Sequence, residues 1–238
     1  MELDMAATKT AAPWNEVAKP TVIDEKQDSA ERLDFYNSNA AVYDSDMKVY
    51  GYGILVMLYV DSGLDIVAET THDLFKERLD SSILDVGSGT GLVAEKLLAL
   101  GQYTNLEGLE PSEGMNKIAE EKKLYTNIMQ RFLYLDCGLE HNTYDGVVTC
   151  GTFVAGHMKS EVLVEICNIL KPGGYFIMAM RDEYLEIVEE YKLHLRSTIN
   201  SLVKEGKWRT VRDEVFSNWV LHENNQGVDG HLFVFQKC

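Results

Sequence analysis

The stretch from residue 83 to residue 91, Ile-Leu-Asp-Val-Gly-Ser-Gly-Thr-Gly, constrains the fold of this chain more than any other. An apolar segment containing Asp85 runs into three glycines at alternate positions, of which Gly91 is the last. A helical pattern of apolar residues follows over 93–100, so the order is strand, tight turn and helix. Such a turn lets a ligand approach bare backbone, and it aims the unpaired N–H groups of the helix at an anionic group.

The spacing of the glycines indicates which nucleoside-containing ligand suits this turn. The dinucleotide fingerprint G-x-G-x-x-G places its third glycine one residue later, where this chain has Leu92. The phosphate loop of NTPases needs Lys and then Ser or Thr after its last glycine, and this chain has Leu92 and Val93 there. Asp85, two residues before the turn, suits a cationic amine better than a pyrophosphate. S-adenosylmethionine has such an amine and also a carboxylate for the helix N-terminus, so this turn favours it.

A second acid stands where a nucleoside site needs one. Residues 106–110, Leu-Glu-Gly-Leu-Glu, have the pattern of the next strand, and Glu110 follows Gly91 by 19 residues. An acid at the end of the second strand can accept two hydrogen bonds from ribose hydroxyls. The position of Glu110 therefore predicts a ribose contact.

These motifs resemble those of the class I S-adenosylmethionine-dependent methyltransferases. Residues 85–91 and Glu110 resemble the first motif and the ribose acid of that family, residues 144–151 resemble its fourth strand, and residues 171–178 resemble its turn into strand five. The four elements stand in the order and at the spacing of the family, and the likeness covers roughly residues 32–238.

Within that family, the sequence is most similar to the Williams–Beuren syndrome region methyltransferase-like proteins. Three stretches carry this narrower likeness: residues 35–44, residues 89–93 and residues 151–157. The resemblance does not specify a methyl acceptor.

The resemblance implies an α/β, Rossmann-like fold: a seven-stranded, mostly parallel sheet with helices on both faces, an antiparallel last strand and an N-terminal helical cap. The alternation of strands and helical patterns beyond residue 80 predicts the same parallel sheet. We expect residues 1–30 to form a mobile tail and residues 31–238 to form one methyltransferase domain. That domain divides into a helical cap over 31–80, a cofactor-binding core over 81–181, and a C-terminal helix and hairpin over 182–238.

The implied cofactor is S-adenosylmethionine, with S-adenosylhomocysteine as the product. Ligands of open α/β sheets bind outside the carboxyl ends of the strands, which gathers the expected contacts at one edge. The expected cofactor-binding residues are Tyr36, Asp85, Gly87, Ser88, Gly89, Gly91, Glu110, Pro111, Met115, Phe132, Leu133, Cys150 and Gly151. Two alternatives stay open here: Met115 covers the adenine or packs in the core, and the adenine amino group meets the Phe132–Leu133 pair or Asp136.

Several residues are candidates for the acceptor side of the site, and His157 and Tyr43 are the candidate catalytic residues. His157 follows the fourth strand, and its imidazole is either a base near physiological pH or a surface side chain. Tyr36 and Tyr43 are seven positions apart on one helix face, where they close the site or serve as half-buried packing. Tyr52 is a further candidate, and Arg181 either meets an acidic substrate group or caps the fifth strand.

The charge of the chain restricts its partners. The sequence has 22 basic and 38 acidic residues, a formal net charge of −16, so nucleic acid and strongly anionic membrane surfaces are disfavoured. No Asn/Asp-Pro-Pro-Tyr/Phe run, which marks many amino-methylating nucleic-acid enzymes, is present. We therefore expect a small-molecule or protein acceptor, with no nucleic-acid or membrane partner. The oligomeric state stays open.

The four cysteines show neither a C-x-x-C pair nor the spacing of metal ligands. They are typical of free thiols in a reducing compartment, and no metal is expected. No signal peptide is visible, so the sequence favours a cytoplasmic location. Two other function classes remain at this stage. One is a protein that binds the cofactor without turnover, as a sensor or partner subunit. The other is an NAD(P)-dependent oxidoreductase, which the glycine spacing weighs against.

Overall fold

The computed structural model describes residues 29–49, 63–221 and 227–238. Residues 1–28 of the expected tail, together with Tyr52, lie outside these ranges.

A seven-stranded sheet forms the centre of the domain, in the order β3-β2-β1-β4-β5-β7-β6. The first five strands run parallel, and β7 runs antiparallel to both β5 and β6. The expected mostly parallel sheet with an antiparallel last strand is therefore confirmed. The strands are β1 (Ile83–Val86), β2 (Leu106–Leu109), β3 (Asn127–Met129), β4 (Tyr144–Cys150), β5 (Leu170–Arg181), β6 (Trp208–Leu221) and β7 (Gly227–Lys237).

Helices cover both faces of the sheet, as expected. On one face α2 and α3 bury Val67, Phe75 and Leu97, and on the other α5 and α7 bury Ile166 and Ile199. Because both faces of the parallel strands are covered, all four residues of β1 are buried and all but Asp85 are apolar. The helices are α1 (Ser29–Val49), α2 (Gly63–Phe75), α3 (Leu92–Leu100), α4 (Glu113–Lys122), α5 (Val162–Ile169), α6 (Tyr184–Ile187) and α7 (Arg196–Lys204).

The helix expected after β5 is interrupted. Apolar residues repeat at helical spacing from 184 to 202 and predict one helix of about twenty residues. Instead α6 ends at Ile187, and a π-helical turn at Tyr191–Leu195 precedes α7. The Tyr191 hydroxyl lies 2.7 and 2.8 Å from the carbonyl oxygens of Val154 and Met158, which share its one proton. The irregular turn thus accompanies a buried tyrosine that ties this segment to the loop after β4.

Helix α1 caps the carboxyl edge of the sheet by docking on α4 and its N-terminal turn. The Asn37 side-chain oxygen accepts hydrogen bonds from the Ser112 hydroxyl, at 2.7 Å, and from the Gly114 amide, at 2.9 Å. A Cβ atom on Gly114 would lie 2.8 Å from the Asn37 carbonyl oxygen, so the glycine permits the close approach of the two helices. Further along α1, Asp44 pairs with Lys122 at 2.6 Å.

Candidate active site

An open cavity lies at the carboxyl ends of the parallel strands, between the glycine turn, α1 and the loop after β4. It encloses about 910 Å³ of space between atoms, part of which is open to solvent. Most of the residues expected at the site line it. These are Tyr36, Tyr43, Gly87, Gly89, Glu110, Pro111, Met115, Phe132, Leu133, Cys150, Gly151 and His157.

The glycine turn presents bare backbone to this cavity. Gly87 and Gly89 have φ values of +68° and +53°, in the left-handed region that side chains disfavour. A Cβ atom on Gly87 would lie 2.4 Å from the side chain of Thr152, whereas a Cβ on Gly89 would meet no described atom within 4 Å. Gly91, at φ +89°, is the N-cap of α3. The turn therefore leaves room for a ligand in front of Gly89, beside the N-terminus of a helix.

Glu110 faces the cavity from the end of β2. Its two carboxylate oxygens accept hydrogen bonds from the backbone amides of Ser112, at 2.8 Å, and Gly89, at 3.2 Å. Burial raises the pKa of Glu110, and both amide hydrogen bonds act in the opposite direction. A carboxylate has about four lone-pair sites, so this one retains acceptor capacity for two ribose hydroxyls. The fit to a nucleoside rests on this arrangement.

Asp85 lies behind the turn and does not line the cavity. Its carboxylate accepts a hydrogen bond of 2.7 Å from the Tyr125 hydroxyl. Burial raises the pKa of Asp85 to about 7, although the Tyr125 hydrogen bond opposes this shift, and the charge of Glu110 raises the pKa further. Ser88 and Gly91 are also outside the cavity lining. Their contact with a ligand, like that of Asp85, stays a prediction.

The loop after β3 supplies Phe132 and Leu133 to the cavity. Asp136, the alternative adenine contact, is not among the lining residues, and its backbone amide donates to a carboxylate oxygen of Glu165 at 3.2 Å. Met115 is buried and also lines the cavity, so its position is compatible with both roles weighed for it.

Tyr36 and His157 form a hydrogen-bonded pair on the other side of the cavity. Because the carbonyl oxygen of Ala155 can only accept, His157 Nδ1, 3.1 Å away, carries the proton and donates to it. Nε2 therefore accepts a hydrogen bond of 3.0 Å from the Tyr36 hydroxyl. Burial lowers the pKa of His157 below its ordinary value of 6.5. The hydrogen bond to the Ala155 carbonyl opposes this shift, and the nearby positive charge of Arg32 adds to it. The imidazole in this pair is therefore neutral. The centroid of the Tyr43 ring lies 6.5 Å from that of the Tyr36 ring.

Several residues that line the cavity were not predicted from the sequence: Ser29, Arg32, Leu33, Leu109 and Met158. Arg32 had a usable signal, because it precedes Tyr36 by four positions and so shares its helix face. Arg181 lies outside the lining, where it pairs with Glu183 at 3.4 Å and covers the ring of Tyr184. Cys150 is a lining residue whose thiol pKa is raised by burial, so it remains protonated.

Comparison with known proteins identifies the family. A family profile described as a methyltransferase domain matches residues 84–178. Methyltransferase-like protein 27 of Homo sapiens is 31% identical over 186 residues, which are 76% of this chain and 69% of that protein. This chain belongs to the class I S-adenosylmethionine-dependent methyltransferases. The mitochondrial ubiquinone biosynthesis O-methyltransferase of Rattus norvegicus is 33% identical to this methyltransferase over 129 residues, 50% of this chain and 36% of that protein.

Solved structures agree on the fold of the methyltransferase. Magnesium protoporphyrin IX methyltransferase from Synechocystis PCC 6803, solved with S-adenosylmethionine bound, superposes with a TM-score of 0.58 at 16% identity, covering 90% of this chain and 98% of that chain. S-adenosylmethionine is the cofactor of the family, as the sequence predicts. The narrower likeness to Williams–Beuren syndrome region proteins stays a prediction.

The structure also bears on metal and membrane partners. Among residues 29–49, 63–221 and 227–238, no three His, Cys, Asp or Glu side chains are placed to hold a metal ion. In the same part of the chain, none of the helices is both long and apolar enough to span a bilayer.

Proposed function

We propose that this methyltransferase transfers a methyl group from S-adenosylmethionine to a small molecule or a limited protein site in the cytoplasm. The observation that carries the proposal is the Tyr36–His157 pair, which shares one cavity with the glycine turn and with Glu110. A proton acceptor and a nucleoside cradle in one cavity suit the methylation of a group that must lose a proton.

The cofactor side of the cavity is assigned by the chemistry of its residues. When bound, S-adenosylmethionine supplies an electrophilic methyl group on a sulfonium. Glu110 receives the ribose hydroxyls on its remaining lone pairs, and the turn at Gly87 and Gly89 admits the ligand to bare backbone. Phe132, Leu133 and Met115 line the cavity and would enclose the adenine. Holding two reactants in line is worth roughly 7–11 kcal/mol of the barrier, so positioning by these residues contributes much of the catalysis.

The Tyr36–His157 pair removes the acceptor's proton. The Tyr36 oxygen takes a proton from the acceptor while its own proton passes to Nε2 of His157. The imidazole then carries a proton on each ring nitrogen, and Nδ1 keeps its hydrogen bond to the carbonyl oxygen of Ala155. Because His157 is neutral before this step, its lone pair is available at neutral pH. Tyr36 touches the acceptor, and His157 acts through Tyr36.

Charge and relatives narrow the acceptor class. The net charge of −16 opposes nucleic-acid binding, which needs clustered basic residues. An oxygen acceptor is the first class to test, because a hydroxyl carries the proton that the pair can take and because the relative from Rattus norvegicus is named an O-methyltransferase. All four cysteines are free thiols, which suits the proposed cytoplasmic location.

The experiment is incubation of the protein with methyl-labelled S-adenosylmethionine and a metabolite extract. We expect labelled product, with S-adenosylhomocysteine formed in equal amount. Tight cofactor binding without turnover across broad extracts would favour a non-catalytic sensor instead. Titration with NADH tests the oxidoreductase alternative, and no binding is expected.

A further inference from the structure

A buried carboxylate on α5 has no part in the site described so far. The Glu165 side chain is 1% exposed. Val162 and Ile169, three positions before it and four after it, are buried on the same helix face. An ionised carboxylate in such apolar surroundings is costly unless it accepts hydrogen bonds. Its partners therefore indicate what the residue does.

Both hydrogen-bond donors to Glu165 come from residues 130–138, here called the β3 loop. The backbone amide of Asp136 donates to one carboxylate oxygen at 3.2 Å, and the thiol of Cys137 donates to the other at 3.4 Å. Asp136 has a φ of +58°, a left-handed conformation that is uncommon in residues other than glycine. The carboxylate thus holds the loop at the position where its backbone is least favourable.

The β3 loop is also the segment that carries Phe132 and Leu133 to the cavity. Within the loop, the Arg131 guanidinium donates to the carbonyl oxygen of Cys137, and the Cys137 amide donates to that of Tyr134 at 3.2 Å. These bonds make the loop a closed unit. A displacement at Asp136 and Cys137 is therefore transmitted to the side chains at the cavity.

We propose that Glu165 is a positioning residue for cofactor binding. It does not line the cavity and acts by fixing the β3 loop, so that Phe132 and Leu133 present a preformed surface to the adenine. This inference rests on the proposed placement of the adenine against those two residues. Without the anchor, binding must also order the loop, and the affinity falls accordingly.

The test compares two anchor variants with a matched control. Glu165→Gln keeps the size of the side chain but removes its charge and one acceptor, and Cys137→Ala removes one donor. Titration calorimetry with S-adenosylhomocysteine should show roughly tenfold weaker binding for Glu165→Gln and about threefold weaker binding for Cys137→Ala. Cys137→Ser retains a donor and should restore the wild-type affinity. Glu161→Gln, at the exposed N-cap position of the same helix, should bind as the wild type does.

A second measurement needs no ligand and separates this inference from the proposed function. Hydrogen exchange should show faster exchange of the β3 loop amides in Glu165→Gln and Cys137→Ala, with the amides of β1 and β4 unchanged. Unchanged loop exchange in both variants would overturn the anchor, even if the wild type binds the nucleoside. Faster loop exchange with unchanged affinity would also overturn the proposal, because the anchor would then have no effect on binding. Failure of the wild type to bind would count against the proposed function alone.

Discussion

The Tyr36 hydroxyl on α1 donates to Nε2 of His157, in the loop after β4, across 3.0 Å and 121 positions of sequence. This bond joins the helical cap directly to the carboxyl edge of the sheet. The two rings also contact edge to face, with centroids 5.7 Å apart. One interaction therefore positions both α1 and the proposed proton acceptor.

Removing the Tyr36 hydroxyl should reduce turnover far more than cofactor binding. Tyr36→Phe keeps the ring and its contact with His157 but deletes the oxygen that takes the acceptor's proton. General base catalysis contributes about 10²–10⁴ to rate, so we expect a loss of at least about 100-fold in labelled methyl transfer. The dissociation constant of S-adenosylhomocysteine should change less than about threefold. Tyr43→Phe is the matched variant, and a larger loss in it would transfer the role to Tyr43.

The rate of methyl transfer should fall only on the acidic side of neutrality. Burial lowers the pKa of His157 below 6.5, so the neutral, reactive imidazole persists through neutral pH. Protonation at lower pH removes the lone pair that accepts from Tyr36. A profile of kcat from about pH 5 to about pH 8 should therefore show an acidic limb below pH 6.5 in the wild type. The residual activity of His157→Gln should lack that limb. An equal limb in this variant would assign it to another group.

Glu110→Gln should weaken cofactor binding. The carboxylate accepts from the amides of Gly89 and Ser112, whereas a glutamine can offer only one oxygen and must turn its NH₂ group toward a donor. Loss of a charge-assisted hydrogen bond costs about 1.5–3 kcal/mol, so we expect roughly 10–100-fold weaker binding of S-adenosylhomocysteine by calorimetry. Glu107→Gln, on the same strand but bonded to Tyr144, is the control and should bind normally.

Asp85→Asn should stabilise the ligand-free protein at alkaline pH. Burial raises the pKa of Asp85 from 3.8 to about 7, so the folded state binds the proton more tightly than the unfolded state does. Stability associated with this group is present below pH 3.8 and is lost as the pH rises through 7. The asparagine does not ionise, so at pH above 7 it should raise the free energy of unfolding by on the order of 2 kcal/mol. Urea unfolding at about pH 5 and about pH 8.5 tests this, and an equal difference at both values would contradict it.

Local sequence signals predicted much of the sheet and most of the residues that line the cavity. The turn requires a left-handed backbone at Gly87 and Gly89. Glycine adopts this conformation most readily, so the residue type itself marks the turn in the sequence. Glu110 was identifiable because it directly follows the apolar pattern of β2, 19 residues after Gly91. These features depend on short stretches of chain, so the sequence displays them directly.

Features that depend on distant contacts were not visible in the sequence. The anchor formed by Glu165 needs two donors 28 and 29 positions away, and an acid within an apolar helix pattern gives no hint of its partners. The break after Ile187 and the π-helical turn likewise accompany contacts of the Tyr191 hydroxyl with acceptors 33 and 37 positions away. The surroundings of Asp85 were not visible for the same reason, because its hydrogen-bond partner Tyr125 lies 40 positions away in the sequence.

The place of β7 between β5 and β6 has a consequence for how this protein is synthesised. β6, 14 residues long, leaves the ribosome before β7, which is the neighbour it pairs with in the sheet. Until β7 emerges, β6 presents open hydrogen-bonding groups and the aromatic side chains of Trp208 and Trp219 to the surrounding medium. A chain in which β7 has not yet inserted between β5 and β6 is therefore exposed to aggregation through this open strand.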